Sequence, residues 1–166
     1  MRFSKFFVPL FALLLVSCTS SHLMVEQVEG PPAKNCPKRA AVDVLALVNA
    51  YREEQGLKKL GNNKLLIAAA KDHARWMAAN DTLSHEGAND ERAIDRAGEK
   101  GYHDIKLIGE NIADGQGTAV MVVNSWKKSP PHNDNLLNPY VRDTGIACAP
   151  NKNGRPYWVI VVGARE

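Results

Sequence analysis

Glu110 is the residue in this chain best placed for chemistry. It stands in Leu107-Ile108-Gly109-Glu110-Asn111-Ile112-Ala113, with apolar neighbours on both sides and Gly115 and Gly117 close behind. A carboxylate in such surroundings loses hydration and must find a partner or take up a proton. Two stretches can supply that partner: Ser84-His85-Glu86-Gly87, and Trp126-Lys127-Lys128-Ser129-Pro130-Pro131-His132-Asn133-Asp134-Asn135. The reading is that the fold brings His85, Glu110 and His132 into one cleft.

Two imidazoles and a carboxylate suit several tasks. His85, Glu110 and His132 could hold zinc or another divalent metal with water completing the tetrahedron, although no local signature such as His-Glu-x-x-His is present. The carboxylate could instead orient one imidazole, which would then titrate near neutral pH. A Ser/His hydrolase is a third reading. Ser84 adjoins His85, but neighbours on an extended chain point to opposite faces, so Ser129 is the better nucleophile; no Gly-x-Ser-x-Gly elbow exists. A purely structural polar cluster is the fourth. Binding is favoured over turnover, and no catalytic residue or cofactor is assigned firmly.

Positioning these groups falls to a set of helices followed by a hairpin. Val44, Leu47, Val48 and Tyr51 mark the inner face of a helix over 37–55, with Pro37 at its start and Gly56 past its end. Leu57 and Leu60 should fold back on it. A second helix over 63–80 carries Leu66, Ala69, Ala70, His73 and Met77 on one face. His73 there reads as a hydrogen-bonded core residue and is left out of the site. A short helix follows over 91–100, with Ile94, Ala97 and Gly98 inward. Residues 102–108 read as strand or irregular. Thr118 caps a helix through Lys127, which Pro130-Pro131 stops, and a helical turn spans 132–137. Asn153-Gly154 lies between two β-rich runs, 143–149 and 157–164, the strongest short hairpin signal. The second run has no polar alternation, so it should be central and covered on both faces. The expected fold is α+β, a three-layer α-β-α sandwich around a small, mainly antiparallel sheet.

The first residues tell a separate story. Arg2 and Lys5 precede an apolar run, Phe6 to Val16, whose 11 residues fall short of the roughly 20 a membrane helix needs. The run fits an export signal. It ends Leu15-Val16-Ser17-Cys18, which resembles the lipobox of bacterial lipoproteins. That resemblance implies that residues 1–17 are removed and that Cys18 receives lipid (palmitate). It also implies attachment on the extracytoplasmic side, and at the outer membrane where a bacterium has two, since Thr19 rather than Asp follows. Residues 18–36, with Gly30-Pro31-Pro32 and no apolar period, read as a tether; the domain proper runs over 37–166. Without the leader, 19 basic residues face 18 acidic ones. No basic stripe appears, which argues against nucleic acid. Cys36 and Cys148 remain, an even number in an exported chain, where a disulfide can persist; two buried free thiols are the alternative.

Taken in order, several motifs resemble the CAP superfamily of cysteine-rich secretory proteins, antigen-5 allergens and plant pathogenesis-related proteins, in its short bacterial branch. They are Leu47-Val48-Asn49-Ala50-Tyr51-Arg52 with Gly56-Leu57, Ala69-Ala70 and His73-Ala74 with Met77, Ser84-His85, Arg92, and Gly101-Tyr102. Then come Gly109-Glu110-Asn111-Ile112-Ala113, Trp126-Lys127-Lys128-Ser129-Pro130 with His132 and Asn135-Leu136-Leu137, Gly145-Ile146-Ala147, and Tyr157-Trp158 with Gly163. The resemblance implies an α-β-α sandwich with a solvent-filled cleft faced by His85, Glu110 and His132. It implies as partners a membrane and a lipid, sterol-like or cell-surface ligand. Many eukaryotic members carry a second cleft Glu where this chain has Ser129.

Overall fold

The computed structural model of the protein describes residues 35–166. The leader, Cys18 and residues 19–34 of the tether lie outside the described residues. Helix α1 spans Ala40–Glu54, strand β1 Gly61–Asn62, helix α2 Lys64–Asn80 and helix α3 Ala93–Glu99. Strand β2 (Ile105–Asp114), helices α4 (Ala119–Lys128) and α5 (Pro130–Leu137), and strands β3 (Asp143–Pro150) and β4 (Pro156–Arg165) complete the chain. The sheet order is β1-β3-β4-β2, with β1 parallel to β3 and the other pairs antiparallel.

Strand β4 is the centre, as its unbroken apolar run predicts. Its residues from Pro156 to Ala164 are all buried. Trp158, Ile160 and Val162 enter one core with Val44, Val48, Trp126 and Leu136, from α1, α4 and α5. Tyr157, Val159 and Val161 enter the other with Leu66, Ala70, Met77 and Ala97, from α2 and α3. The period of two along one strand thus divides the molecule into three layers, α1/α4/α5, sheet and α2/α3. Close approach on the α2 side depends on Gly145: a Cβ there would collide with the backbone of Leu66 and Ile67.

Local chemistry sets the boundaries. Asn63 caps α2 by accepting from the Leu65 N–H at 3.0 Å, and Thr118 caps α4 through Met121 N–H at 3.2 Å. The turn between β3 and β4 is closed by Asn151, whose Oδ1 accepts from Asn153 and Arg155 N–H, with Gly154 at φ +84°. Cys36 and Cys148 form a disulfide with Cα atoms 5.9 Å apart, and Asn35 N–H donates to Gly154 O nearby. The start of the domain is thereby fixed to the hairpin.

Three expectations need correction. Pro37 opens a turn (Ala40 N–H to Pro37 O) and α1 begins only at Ala40. Pro130-Pro131 does more than end α4: both prolines form the first turn of α5, where an N–H is dispensable. On α3 the inward residues are Ala93, Arg96 and Ala97, whereas Ile94 is 50% exposed. Choosing the face by hydrophobicity placed the isoleucine inside, and an ion pair described below reverses that choice.

Candidate functional site

The site is built on β2, an edge strand. Glu110 sits opposite Val161 and Ile112 opposite Val159 on β4, so both side chains enter the α2/α3 layer. Asn111, one residue on, points into the opposite layer and meets α5. Like every strand, β2 sends alternate side chains to the two layers, and as an edge strand it also leaves one flank without a neighbouring strand. That is how α2/α3 and α5 can serve one site.

The Glu110 carboxylate is 4% exposed and fully engaged. Arg96, equally buried, donates from Nη2 to Oε2 at 2.7 Å. His85 Nδ1 stands 2.9 Å from Oε1. Arg96 is fixed in turn by its donation to Glu91 O at 2.6 Å and to His85 O at 3.3 Å. It therefore holds both the carboxylate and the backbone that carries the imidazole. An ionised carboxylate only accepts, so the His85 proton lies on Nδ1. Nε2, the acceptor of the neutral ring, meets no protein partner among the described residues. The His85 side chain is 54% exposed. The result is an imidazole of fixed tautomer and fixed orientation with one nitrogen offered outward.

His73 lies beneath this pair. Its Nε2 is 2.8 Å from Ser84 O and 3.9 Å from Glu110 Oε1, and its ring stacks on Trp76. Since a carbonyl only accepts, Nε2 carries the proton and the buried Nδ1 is unpartnered. Burial first, opposed by Glu110 and reinforced by Arg96, holds the His73 pKa below the ordinary histidine value. His73 is thus a neutral core residue, as its place on α2 predicts. It also supports the loop that carries His85.

His132 arrives from α5 without touching Glu110. Asn111 Nδ2 donates to its carbonyl at 2.9 Å, and Asn135 Nδ2 donates to Asn111 Oδ1 (2.9 Å) and Glu110 O (3.2 Å). A Cβ on Gly109 would lie 2.6 Å from Asn135 Oδ1, so the glycine before Glu110 makes room for this amide. Burial first and the His85 imidazole second keep the His132 pKa low. Ser129 precedes α5 and makes no capping bond. No hydroxyl is hydrogen-bonded to the ring of His85 or His132 among the described residues.

Zinc does not fit this arrangement. Among the described residues no group of three or more His, Cys, Asp or Glu is placed to hold a metal ion. Both Glu110 oxygens are taken, by Arg96 and by His85. Two imidazole nitrogens remain, where a zinc site uses three or four protein ligands.

Beside His85 runs a groove of about 560 Å³, lined by His85, Arg92, Ile94, residues 105–108 and Glu110. The sequence reading missed Arg96 and Ile94 here. One signal was available: Ala93 and Ala97 flank Arg96 at helical spacing, and small residues beside a long one mark a face packed closely on something.

The model of the cysteine-rich secretory protein family, CAP, matches residues 45–162. A curated relative, the uncharacterized protein YkwD of Bacillus subtilis, is 34% identical over 103 residues, 62% of this chain. The matched segment spans 40% of that relative's length, and 30% of the uncharacterized membrane protein YlbC of the same organism. Among solved structures, an outer surface protein from Borrelia burgdorferi superposes with a TM-score of 0.72 at 23% identity, over 82% of this chain and 100% of that one. An extracellular protein containing an SCP domain from Bacillus anthracis does so at 0.66 and 23%, over 76% of this chain and 40% of that one. No helix among the described residues is long and apolar enough to cross a membrane.

Proposed function

The chain belongs to the cysteine-rich secretory protein (CAP) family, and we propose that it is an extracytoplasmic, lipid-anchored binding domain whose ligand enters the groove beside His85. The single observation that carries this reading is the buried Arg96–Glu110 pair holding His85 Nδ1. Fixing an exposed imidazole so firmly presents Nε2 to a ligand with no reorganisation on binding. Binding is preferred to hydrolysis because, among the described residues, no nucleophilic side chain is hydrogen-bonded to either imidazole. The ligand class is a lipid, a sterol-like molecule or a cell-surface component. Lipid on Cys18 would hold the domain on the outer side of a membrane, the outer membrane in a two-membrane bacterium. The surface and extracellular descriptions of the structural neighbours support that placement.

Native mass spectrometry of full-length protein extracted from membranes tests both halves. The wild type should carry fatty acid at Cys18 and a bound small molecule, and His85→Ala should lose the second but keep the first. Equal occupancy in the two proteins would overturn the binding site. Fatty-acid labelling of Cys18→Ala would overturn the anchor.

A further inference from the structure

We infer that the groove along β2 receives an extended, acidic peptide segment by strand addition, its backbone pairing with Ile108 and its carboxylates meeting Lys106 and Arg92. Of the ligand classes proposed above this selects the cell-surface component, as a peptide, and it rests on that binding role.

Four consecutive residues, 105–108, line the groove. Ile105 and Ile108 pack on the α2/α3 core and Leu107 on the opposite one, so a groove touching all three runs along the strand's edge, where the backbone is. β2 is an outer strand of the sheet. Its outward register is fixed further along: the Glu110 carbonyl accepts from Asn135 and the Ile112 carbonyl from Trp126. From Leu107 to Asp114, past the register irregularity between Ile105 and Leu107, even-numbered residues therefore turn their N–H and C=O away from β4. Ile108 shares that register, and among the described residues no side chain caps it. The edge is thus covered at 110 and 112 and open at 108, alongside the groove.

An open N–H and C=O on one residue call for an acceptor and a donor at strand spacing, which is what another peptide backbone offers. A lipid tail offers neither. The far wall is the first turn of α3, with Ala93 and the half-exposed Ile94. The site is a slot between an edge strand and a helix, with an aliphatic wall for alternate side chains. Its rim carries two cations: Arg92 is 70% exposed and paired with Glu86, and Lys106 has no ion-pair partner among the described residues. Glu110, the acid at the inner end, is already neutralised by Arg96. Lys106 is the cation left without a partner among the described residues, and it selects a carboxylate.

The test uses ¹⁵N-labelled full-length protein in detergent micelles and two probes, acetyl-Glu-Val-Glu-Val-Glu-amide and its Lys-Val-Lys-Val-Lys counterpart. The acidic peptide should shift the amide signals of residues 105–110 and slow hydrogen exchange at Ile108. N-methylating one alternate set of its amides should weaken binding roughly tenfold or more, while the other set is tolerated, because only one edge of the peptide faces β2. Lys106→Glu, a change at an exposed side chain, should weaken the acidic probe and strengthen the basic one. The inference is overturned by no shift at about 1 mM acidic peptide, by equal tolerance of both methylated sets, or by indifference to Lys106→Glu. Any of these leaves standing the His85-dependent small-molecule result of the preceding test, so the two readings fail separately.

Discussion

The Arg96–Glu110 pair lends itself to a double-mutant cycle, because both side chains are 4% exposed and their charged atoms are 2.7 Å apart. Arg96→Met leaves the carboxylate buried against a single imidazole. Glu110→Leu leaves a guanidinium buried with only carbonyl acceptors, Glu91 O and His85 O. Removing one member of a buried pair costs about 3–5 kcal/mol, since the survivor has lost its water and its partner together. With a urea m-value of about 2 kcal/mol/M, each single variant should lose about 2 M in its unfolding midpoint. The double variant buries two apolar side chains and no stranded charge. It should be more stable than either single variant, with a coupling energy of about 3 kcal/mol or more. Urea melts followed by tryptophan fluorescence read this directly, because Trp126 and Trp158 are both buried in one core. If the double variant costs the sum of the singles within about 0.5 kcal/mol, the two residues do not act as a pair and the account of how His85 is held is wrong.

Further expectations follow from single residues. His73 has a folded pKa below its unfolded value of about 6.5, so the unfolded state binds more protons in the window between them. Its contribution is complete above pH ~6.5 and is lost as pH falls through the folded pKa; His73→Gln should flatten that decline, and an unchanged slope between pH 5 and 7 would refute the assignment. Gly145→Ala should abolish cooperative unfolding or cost more than the roughly 1–3 kcal/mol of ordinary overpacking, because the added Cβ meets helix backbone. Gly98→Ala, a helical position with open space around it, should instead stabilise by about 0.5–1 kcal/mol; melts of the two proteins side by side check the contrast. The Cys36–Cys148 bond spans 112 residues, and replacing both cysteines by serine should cost about 2–4 kcal/mol by denaturant titration.

What the sequence made legible, and what it did not, divides along one line: apolar side chains announce their partners by period, whereas buried charges do not. The uninterrupted run from Tyr157 to Val162 was readable as a central strand because both of its faces are covered. The cap at Thr118, the Asn153-Gly154 turn and the Cys36–Cys148 bridge were readable because each rests on a local preference or a count. Arg96 escaped because hydropathy assigns arginine to solvent. Arg52 escaped in the same way: it continues the stripe of Val44 and Val48, is fully buried, and donates to the carbonyls of Lys58, Leu136 and Asn138. In both cases the guanidinium binds loops and helix ends that lack regular backbone partners, a demand invisible in a periodic pattern.

The same division explains why the candidate site was half visible. His85 and Glu110 meet through side chains, and the mismatch of a carboxylate among apolar neighbours pointed to the encounter. His132 is positioned by its main chain, through Asn111, so nothing about its ring chemistry predicts where it stands. The placement of Glu110 on an outer strand is what joins the two. Facing inward it takes its counter-ion from α3, while the next residue, facing the other layer, fixes α5 through Asn135. A central strand would have been sealed on both edges by its neighbours, and a loop could not have kept Glu110 and Asn111 on opposite sides. Edge position thus gives the site two rigid walls and one open flank, and the residues on that flank are those where ligand chemistry has to be sought.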